Sequence, residues 1–104
     1  MRMMLRVTIP VESGNEAVRK GSLGTTIKNI LDTLKPEAAY FAEENGERCG
    51  FIFFDMKDSS QIPSIAEPWF LAFNARISIR PAMNLQDLAA AGPDFERDVK
   101  AYGS

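Results

Sequence analysis

Histidine is absent from this chain of 104 residues. Histidine is the commonest general base near neutral pH and the commonest metal ligand in proteins. Its absence excludes a Ser-His-Asp or Cys-His catalytic site, and a second copy of the chain does not restore one. Only carboxylates and one thiol remain as charged metal ligands. The sequence therefore predicts no metal site, no haem and no other cofactor.

Cysteine and long apolar segments are also scarce. Cys49 is the only cysteine, which excludes an internal disulfide and is typical of the reducing cytoplasm. No apolar run approaches the roughly 18 residues of a membrane span, and we interpret the segment Met1–Leu5 as a strand and not a signal peptide. The net charge of −2 argues against non-specific nucleic-acid binding. We expect a cytoplasmic protein that binds neither membranes nor nucleic acids.

The most informative signal that is present is Asn45-Gly46, which lies between two apolar segments. An Asn-Gly pair favours a type I′ turn, because both central residues of that turn have positive φ. We therefore predict a β-hairpin whose strands are Ala38–Glu44 and Glu47–Asp55.

This hairpin is apolar on both faces. Its register places Tyr40 opposite Phe51 on one face, with Phe53 beside them, whereas Ile52 and Phe54 point to the other face. A sheet with one solvated face alternates between apolar and polar residues. We therefore expect one face to pack against helices and the other to pack against a second copy of the chain.

Two further strands show clear alternation. Met3–Ile9 is the first strand and ends at Pro10, and Ala75–Arg80 is the fourth. Between the first strand and the hairpin, the sequence predicts a helix that ends at Lys35-Pro36.

The start and the middle of this first helix carry two specific signals. Ser13 and Glu16 match a capping box, which predicts Ser13 as the N-cap. Gly21 and Gly24 interrupt the apolar stripe, so the helix should kink or split in two. A phosphate-binding loop is the alternative interpretation of this Gly-Ser-Leu-Gly segment, but such loops follow a strand and open a helix.

A second helical stripe follows the hairpin, with Asp58 as a candidate N-cap and Trp69 and Phe70 among its apolar residues. Pro68 lies inside the stripe, so we expect a break near Glu67. The tail should form a short helix after Asn84, ended by Gly92-Pro93, and then a final helical turn or two over Asp94–Tyr102.

The element order is β-α-β-β-α-β, followed by a C-terminal helical extension. This order predicts a single ferredoxin-like α+β domain over residues 1–104, with an antiparallel sheet of order 4-1-3-2 and both helices on one face. The chain resembles the dimeric α+β barrel superfamily, in which two ferredoxin-like subunits press their open sheet faces together. It also looks like small uncharacterised bacterial proteins of that superfamily in three segments: Lys35-Pro-Glu-Ala-Ala-Tyr-Phe, Gly50-Phe-Ile-Phe-Phe-Asp-Met and Glu67-Pro-Trp-Phe.

The predicted face away from the helices carries the candidate site. Arg6 and Thr8 lie on the first strand, and the fourth strand contributes Arg76, Ser78 and Arg80. Aromatic residues with a few arginines suit an aromatic or aliphatic acid, since arginine binds carboxylates bidentately. The alternative is that these arginines pair with Asp55, Glu43, Glu44 or the partner subunit. The predicted ligand-binding residues are Arg6, Thr8, Tyr40, Phe51, Phe53, Arg76 and Ser78.

Two functional hypotheses follow. The first is a homodimeric module that binds a small anionic or aromatic ligand, or another protein, without a conventional catalytic site. The second is a cofactor-free oxygenase or isomerase that acts on a small organic acid, with Tyr40 or Asp55 as the acid or base. Such enzymes occur in the superfamily that the chain resembles, as do haem proteins and ligand-sensing domains. We expect Cys49 to be a buried, inert thiol.

Overall fold

The computed structural model describes all 104 residues and contains one four-stranded antiparallel sheet. Its strands lie in the order β2-β3-β1-β4, which is the predicted order 4-1-3-2 read from the other edge. The α+β ferredoxin-like fold is therefore confirmed. The strands are β1 Arg2–Ile9, β2 Ala38–Glu44, β3 Glu47–Asp55 and β4 Arg76–Pro81.

The hairpin forms as predicted. Asn45 and Gly46 have φ angles of 54° and 79°, as a type I′ turn requires. The register pairs Tyr40 with Phe51. Because the turn fixes this register, it also fixes which hairpin side chains face the helices.

Five helices and one 3₁₀ turn complete the chain. Gly21 has a φ of 72° and separates the first predicted helix into two, so the expected split is confirmed at this glycine. Lys35 adopts the left-handed conformation and ends the second helix before Pro36. The helices are α1 Val11–Arg19, α2 Leu23–Leu34, α3 Ile62–Phe73, α4 Leu85–Ala90 and α5 Gly92–Tyr102, and the 3₁₀ turn is Ser59–Gln61.

The predicted N-cap of the first helix is wrong. Helix α1 begins at Val11, directly after Pro10, and Ser13 lies inside its first turn. The Ser13 hydroxyl donates to the Phe73 carbonyl oxygen at 2.5 Å and to the Pro10 carbonyl oxygen at 3.2 Å. Pro10 has a φ of −53°, which suits the start of a helix. The Ser13 hydroxyl does not cap the helix because it bonds to the carbonyl of Phe73, at the end of α3.

The predicted break near Glu67 is also wrong. Helix α3 continues through Pro68, although this residue cannot donate the hydrogen bond that would reach the carbonyl of Ser64. Trp69 and Phe73 are buried in the core on the far side of the proline. Their packing holds both halves of the helix on the sheet and offsets the lost hydrogen bond.

The core lies between the sheet and helices α1, α2 and α3. Its buried residues on the strands alternate with residues of the opposite face, which we call the open face. The core is built mainly from Met3, Leu5, Val7, Ile9, Ile52, Phe54, Ile65, Trp69 and Phe73. The open face carries Met4, Arg6, Thr8, Tyr40, Phe51, Phe53, Arg76, Ser78 and Arg80.

Residues 82–104 contain α4 and α5, which pack with each other and not substantially with the sheet or the other helices, and we call them the C-terminal arm. The short helix α4 begins after Asn84 as predicted, and Asn84 forms a capping box with Asp87. Helix α5, however, has 11 residues, about three turns, and is longer than the predicted turn or two. It starts at Gly92, because Pro93 suits the first turn of a helix. None of the helices has the length and apolar character needed to span a bilayer.

Candidate functional site

The structure brings the seven predicted ligand-binding residues together on the open face. In the register, Arg6 lies between Phe51 on β3 and Ser78 on β4, and Thr8 pairs with Arg76. This proximity follows from the strand order, which places β1 between β3 and β4.

Two carboxylates occupy the arginines of this face. Arg6 Nη1 donates to Glu44 Oε1 at 3.1 Å, and the guanidinium of Arg76 is paired with Glu47. Glu44 and Glu47 face each other across the end of the hairpin. A cavity of about 330 Å³ lies between these residues. Two cations and two carboxylates balance, so an anion that enters must compete with the carboxylates.

Sequence reasoning missed Glu47 as a partner, although the signal was available. Glu44 was among the candidate partners, and the Asn45-Gly46 turn places Glu47 directly opposite it. Two carboxylates that face each other repel, so each requires a nearby cation. The neighbouring strands supply Arg6 and Arg76.

Cys49 lies beside this cluster, where its surroundings disfavour the reactive thiolate form. The residue is only 2% exposed, and its Sγ donates to Glu44 Oε2 at 3.4 Å. Burial raises the pKa of the Cys49 thiol, and the Glu44 carboxylate raises it further. The expectation of a buried thiol is confirmed, and its low reactivity stays a prediction.

The two loop carboxylates serve the fold. Asp58 accepts from the backbone N–H of Ser60 at 3.0 Å and caps the 3₁₀ turn. Asp55 accepts from the amino group of Met1 at 2.7 Å. Neither lies within 4.0 Å of an arginine guanidinium, so the structure does not assemble an acid–base pair from them.

A second cavity, of about 360 Å³, lies on the opposite side of the sheet between α2 and the hairpin. The cavity exists because α2 packs incompletely on the sheet: its apolar residues Leu23 and Ile27 are only partly buried. We call this space the α2 cavity. Apolar side chains dominate its lining, which includes Val7, Ile9, Leu23, Ile27, Phe41 and Trp69.

Trp69, one of the residues that line the α2 cavity, has a buried polar group without a partner. The residue is 1% exposed, and its indole Nε1 has no hydrogen-bond partner. A buried donor without an acceptor costs about 1–3 kcal/mol. Native proteins rarely leave such a group unsatisfied.

Arg48 adds a cation to the same cavity. Arg48 is half-buried and lines the cavity. No carboxylate lies within 4.0 Å of its guanidinium. Its Nη2 donates to Asn15 Oδ1 at 3.1 Å. Its cross-strand neighbour Glu43 also lines the cavity, but its carboxylate accepts from the backbone N–H of Gly46. Arg48 lies on the helix-facing side of β3 with Ile52 and Phe54. A charged residue among buried apolar ones was the sequence signal for this cavity, and sequence reasoning missed it.

Comparisons with known proteins support the fold. No protein-family model and no curated protein sequence matches this chain. A solved structure of a formyltetrahydrofolate deformylase from Pseudomonas putida KT2440 is similar, with a TM-score of 0.50 and 12% sequence identity. The match covers 79% of this chain but only 29% of the deformylase chain. At this identity the likeness shows the fold alone, which agrees with the ferredoxin-like assignment.

Proposed function

We propose that this chain is a homodimeric small-ligand-binding module without a conventional catalytic site, and that its ligand occupies the α2 cavity. The observation that carries the proposal is the mainly apolar α2 cavity, whose lining includes Arg48 and Trp69, the latter with a buried and unpartnered indole N–H. A ligand with a hydrogen-bond acceptor would satisfy that donor.

The lining defines the class of ligand. The cavity volume lies within the range of about 300–1,000 Å³ that is typical of small-molecule sites, and apolar side chains favour an aromatic or aliphatic body. Arg48 has no carboxylate partner, and arginine binds carboxylates through two parallel hydrogen bonds. The proposed ligand is therefore a small organic acid with an apolar body.

The open face is the proposed dimer interface, as in the superfamily that the chain resembles. Tyr40 is 65% exposed there, beside the half-buried Phe51 and Phe53. A second copy would cover this apolar patch, and the ion pairs of Arg6 and Arg76 would surround it. In this proposal, the seven sequence-predicted residues line the interface, and three of them, Arg6, Thr8 and Arg76, also line its 330 Å³ cavity.

The alternative function is a cofactor-free oxygenase or isomerase that uses the open face. That chemistry requires a closed pocket in which Tyr40 or a carboxylate faces an arginine. In one copy Tyr40 is largely exposed and the nearby arginines already pair with Glu44 and Glu47. The geometry favours binding at the α2 cavity over catalysis at the open face. We also propose a cytoplasmic location, on the basis of the single buried cysteine.

Fluorescence of Trp69, the only tryptophan, tests the ligand proposal. Phenylacetate and octanoate are titrated beside 2-phenylethanol and 1-octanol, which keep the apolar body but lack the carboxylate. We expect saturable spectral changes, tighter binding of the acids than of the alcohols, and loss of that preference in Arg48→Gln.

The matched control is Arg97→Gln, which removes an exposed arginine that is paired with Asp94 on α5. It should bind the acids as the wild type does. The proposal fails if none of the four compounds gives a saturable change, or if Arg48→Gln and Arg97→Gln bind the acids equally well.

A further inference from the structure

The C-terminal arm extends away from the rest of the molecule. The molecule measures 59 × 29 × 20 Å, and its radius of gyration is 17.5 Å, against about 13 Å for a compact domain of this length. Helix α5 packs mainly with α4, and neither packs substantially against the sheet or the other helices.

The base of the arm is held to the sheet. The backbone N–H of Ala82 donates to the carbonyl oxygen of Arg2 at 3.1 Å, and Arg2 Nη1 donates to Asp87 Oδ2 at 3.2 Å. These two bonds fix where α4 begins. From there α5 extends without packing substantially against its own sheet.

The arm carries an apolar face that nothing in this chain covers. Phe95, Val99 and Tyr102 lie at the spacing i, i+4 and i+7, which places them on one side of α5. All three are exposed, Val99 by 65%. An isolated helix of 11 residues is marginal in water, so α5 needs a surface against which to pack.

The open face of a second copy matches this helix in size and in apolar character. At about 1.5 Å per residue, α5 is about 16 Å long. Four strands spaced about 4.8 Å apart span about 14 Å between the outer two. A helix of this length crosses the whole sheet, and Tyr40 and Phe51 would meet its apolar side.

The charges also match. Glu96 and Asp98 lie on opposite flanks of the apolar side of α5, and neither forms an ion pair in this chain. On the open face, Arg80 is exposed and its guanidinium contacts only the hydroxyl of Ser78, at 3.0 Å. Either of these carboxylates would supply the partner that Arg80 lacks.

We propose that the C-terminal arm of each copy lies on the open face of the other, in a reciprocal two-fold exchange. This inference rests on the proposed homodimer, but it replaces direct contact between the two sheets with contact between each open face and the arm of the other copy. A two-fold interface requires each copy to offer both halves of the contact. The arm and the open face are those two halves. The ligand in the α2 cavity is on the other side of the sheet and is independent of the exchange.

Sedimentation equilibrium tests the exchange with two variants. Val99→Asp places a charge on the apolar side of α5, and Leu71→Asp is the control, because Leu71 is an 81% exposed apolar residue on α3. We expect the wild type and Leu71→Asp to dimerise at low micromolar concentration, and Val99→Asp to raise the dimer Kd at least tenfold. Equal Kd values for the two variants would overturn the exchange.

A spin label then locates the arm. The label is attached to Lys100→Cys in a Cys49→Ser background, and this chain is mixed with unlabelled ¹⁵N chains. We expect broadening of the amide signals of Tyr40 and Phe51 in the ¹⁵N chains. A dimer without this broadening overturns the exchange and leaves a sheet-to-sheet dimer. A monomeric wild type overturns the proposed homodimer as well, whereas ligand binding is measured separately by Trp69 fluorescence.

Discussion

Arg48 of β3 lies against Gly14 of α1 so closely that a β-carbon on Gly14 would stand 2.5 Å from Arg48 Nη1. The glycine leaves space for the guanidinium to reach Asn15. Helix α1 thus positions the cation of the α2 cavity without contributing a charge.

Gly14→Ala should therefore separate stability from ligand binding. The new methyl group displaces the flexible end of Arg48, while alanine in a helix interior is favoured over glycine by about 0.5–1 kcal/mol. We expect unchanged or higher stability in urea unfolding and about tenfold weaker octanoate binding, equivalent to about 1.4 kcal/mol. Gly24→Ala is the control, because no atom lies within 4 Å of its new β-carbon. Equal octanoate affinities of the two variants would refute the positioning role.

Ser13→Ala should destabilise the fold by about 1 kcal/mol, because it removes the hydrogen bond from α1 to the carbonyl of Phe73 at the end of α3. Ser64→Ala removes only an exposed local bond to the carbonyl of Gln61 and should cost less. Urea unfolding of both variants measures the difference. If Ser64→Ala costs as much as Ser13→Ala, the link between the two helices contributes nothing specific.

Pro68→Ala should stabilise the protein by about 1–3 kcal/mol, because proline is about 3 kcal/mol less favourable than alanine inside a helix. The substitution restores a donor to the carbonyl of Ser64, and α3 is already continuous there. Thermal and urea unfolding give the change. A loss of stability would show that the proline ring contributes packing that outweighs the missing hydrogen bond.

The Cys49 thiol should react with iodoacetamide at pH 8 more slowly than a free thiol does, because burial and Glu44 raise its pKa. Glu44→Gln should lower that pKa and speed the reaction. Glu43→Gln, which changes the neighbouring carboxylate on the other face of β2, should not. Equal rates for the two variants would contradict the assigned role of Glu44.

The same raised pKa sets a direction for stability against pH. In the folded state Cys49 stays protonated at a pH where the unfolded thiol ionises. Its contribution is present below the ordinary pKa of 9.0 and is lost as the pH rises through the higher pKa of the folded state. The free energy of unfolding should therefore fall less steeply above pH 9.0 in Cys49→Ser than in the wild type. Identical slopes would mean that the thiol titrates alike in both states.

The sheet could be predicted from the sequence because local signals specify it. Asn45-Gly46 fixes the hairpin register, and alternation in β1 assigns its faces. The helix termini were harder to predict. The hydroxyl of Ser13 and the ring of Pro68 are governed by tertiary contacts that local rules do not contain.

The candidate site also has features that the sequence predicts and features that depend on tertiary contacts. The strand order was sufficient to bring Arg6 and Arg76 onto one face, but their pairing with Glu44 and Glu47 depends on side-chain geometry. The α2 cavity arises because α2 packs incompletely, and no sequence pattern encodes that gap. The only sequence feature that relates to the cavity is Arg48, a charged residue on the helix-facing side of β3.

The indole N–H of Trp69 provides the most direct test of the central claim. The chain has a single tryptophan, so one ¹H–¹⁵N indole cross-peak reports on the unpartnered donor. Addition of octanoate should move this peak downfield in the proton dimension as the carboxylate or a bridging water accepts the N–H, and the shift should saturate with the Kd seen by fluorescence. An indole peak that stays in place while octanoate binds elsewhere, or while no binding occurs, would contradict a ligand site in the α2 cavity.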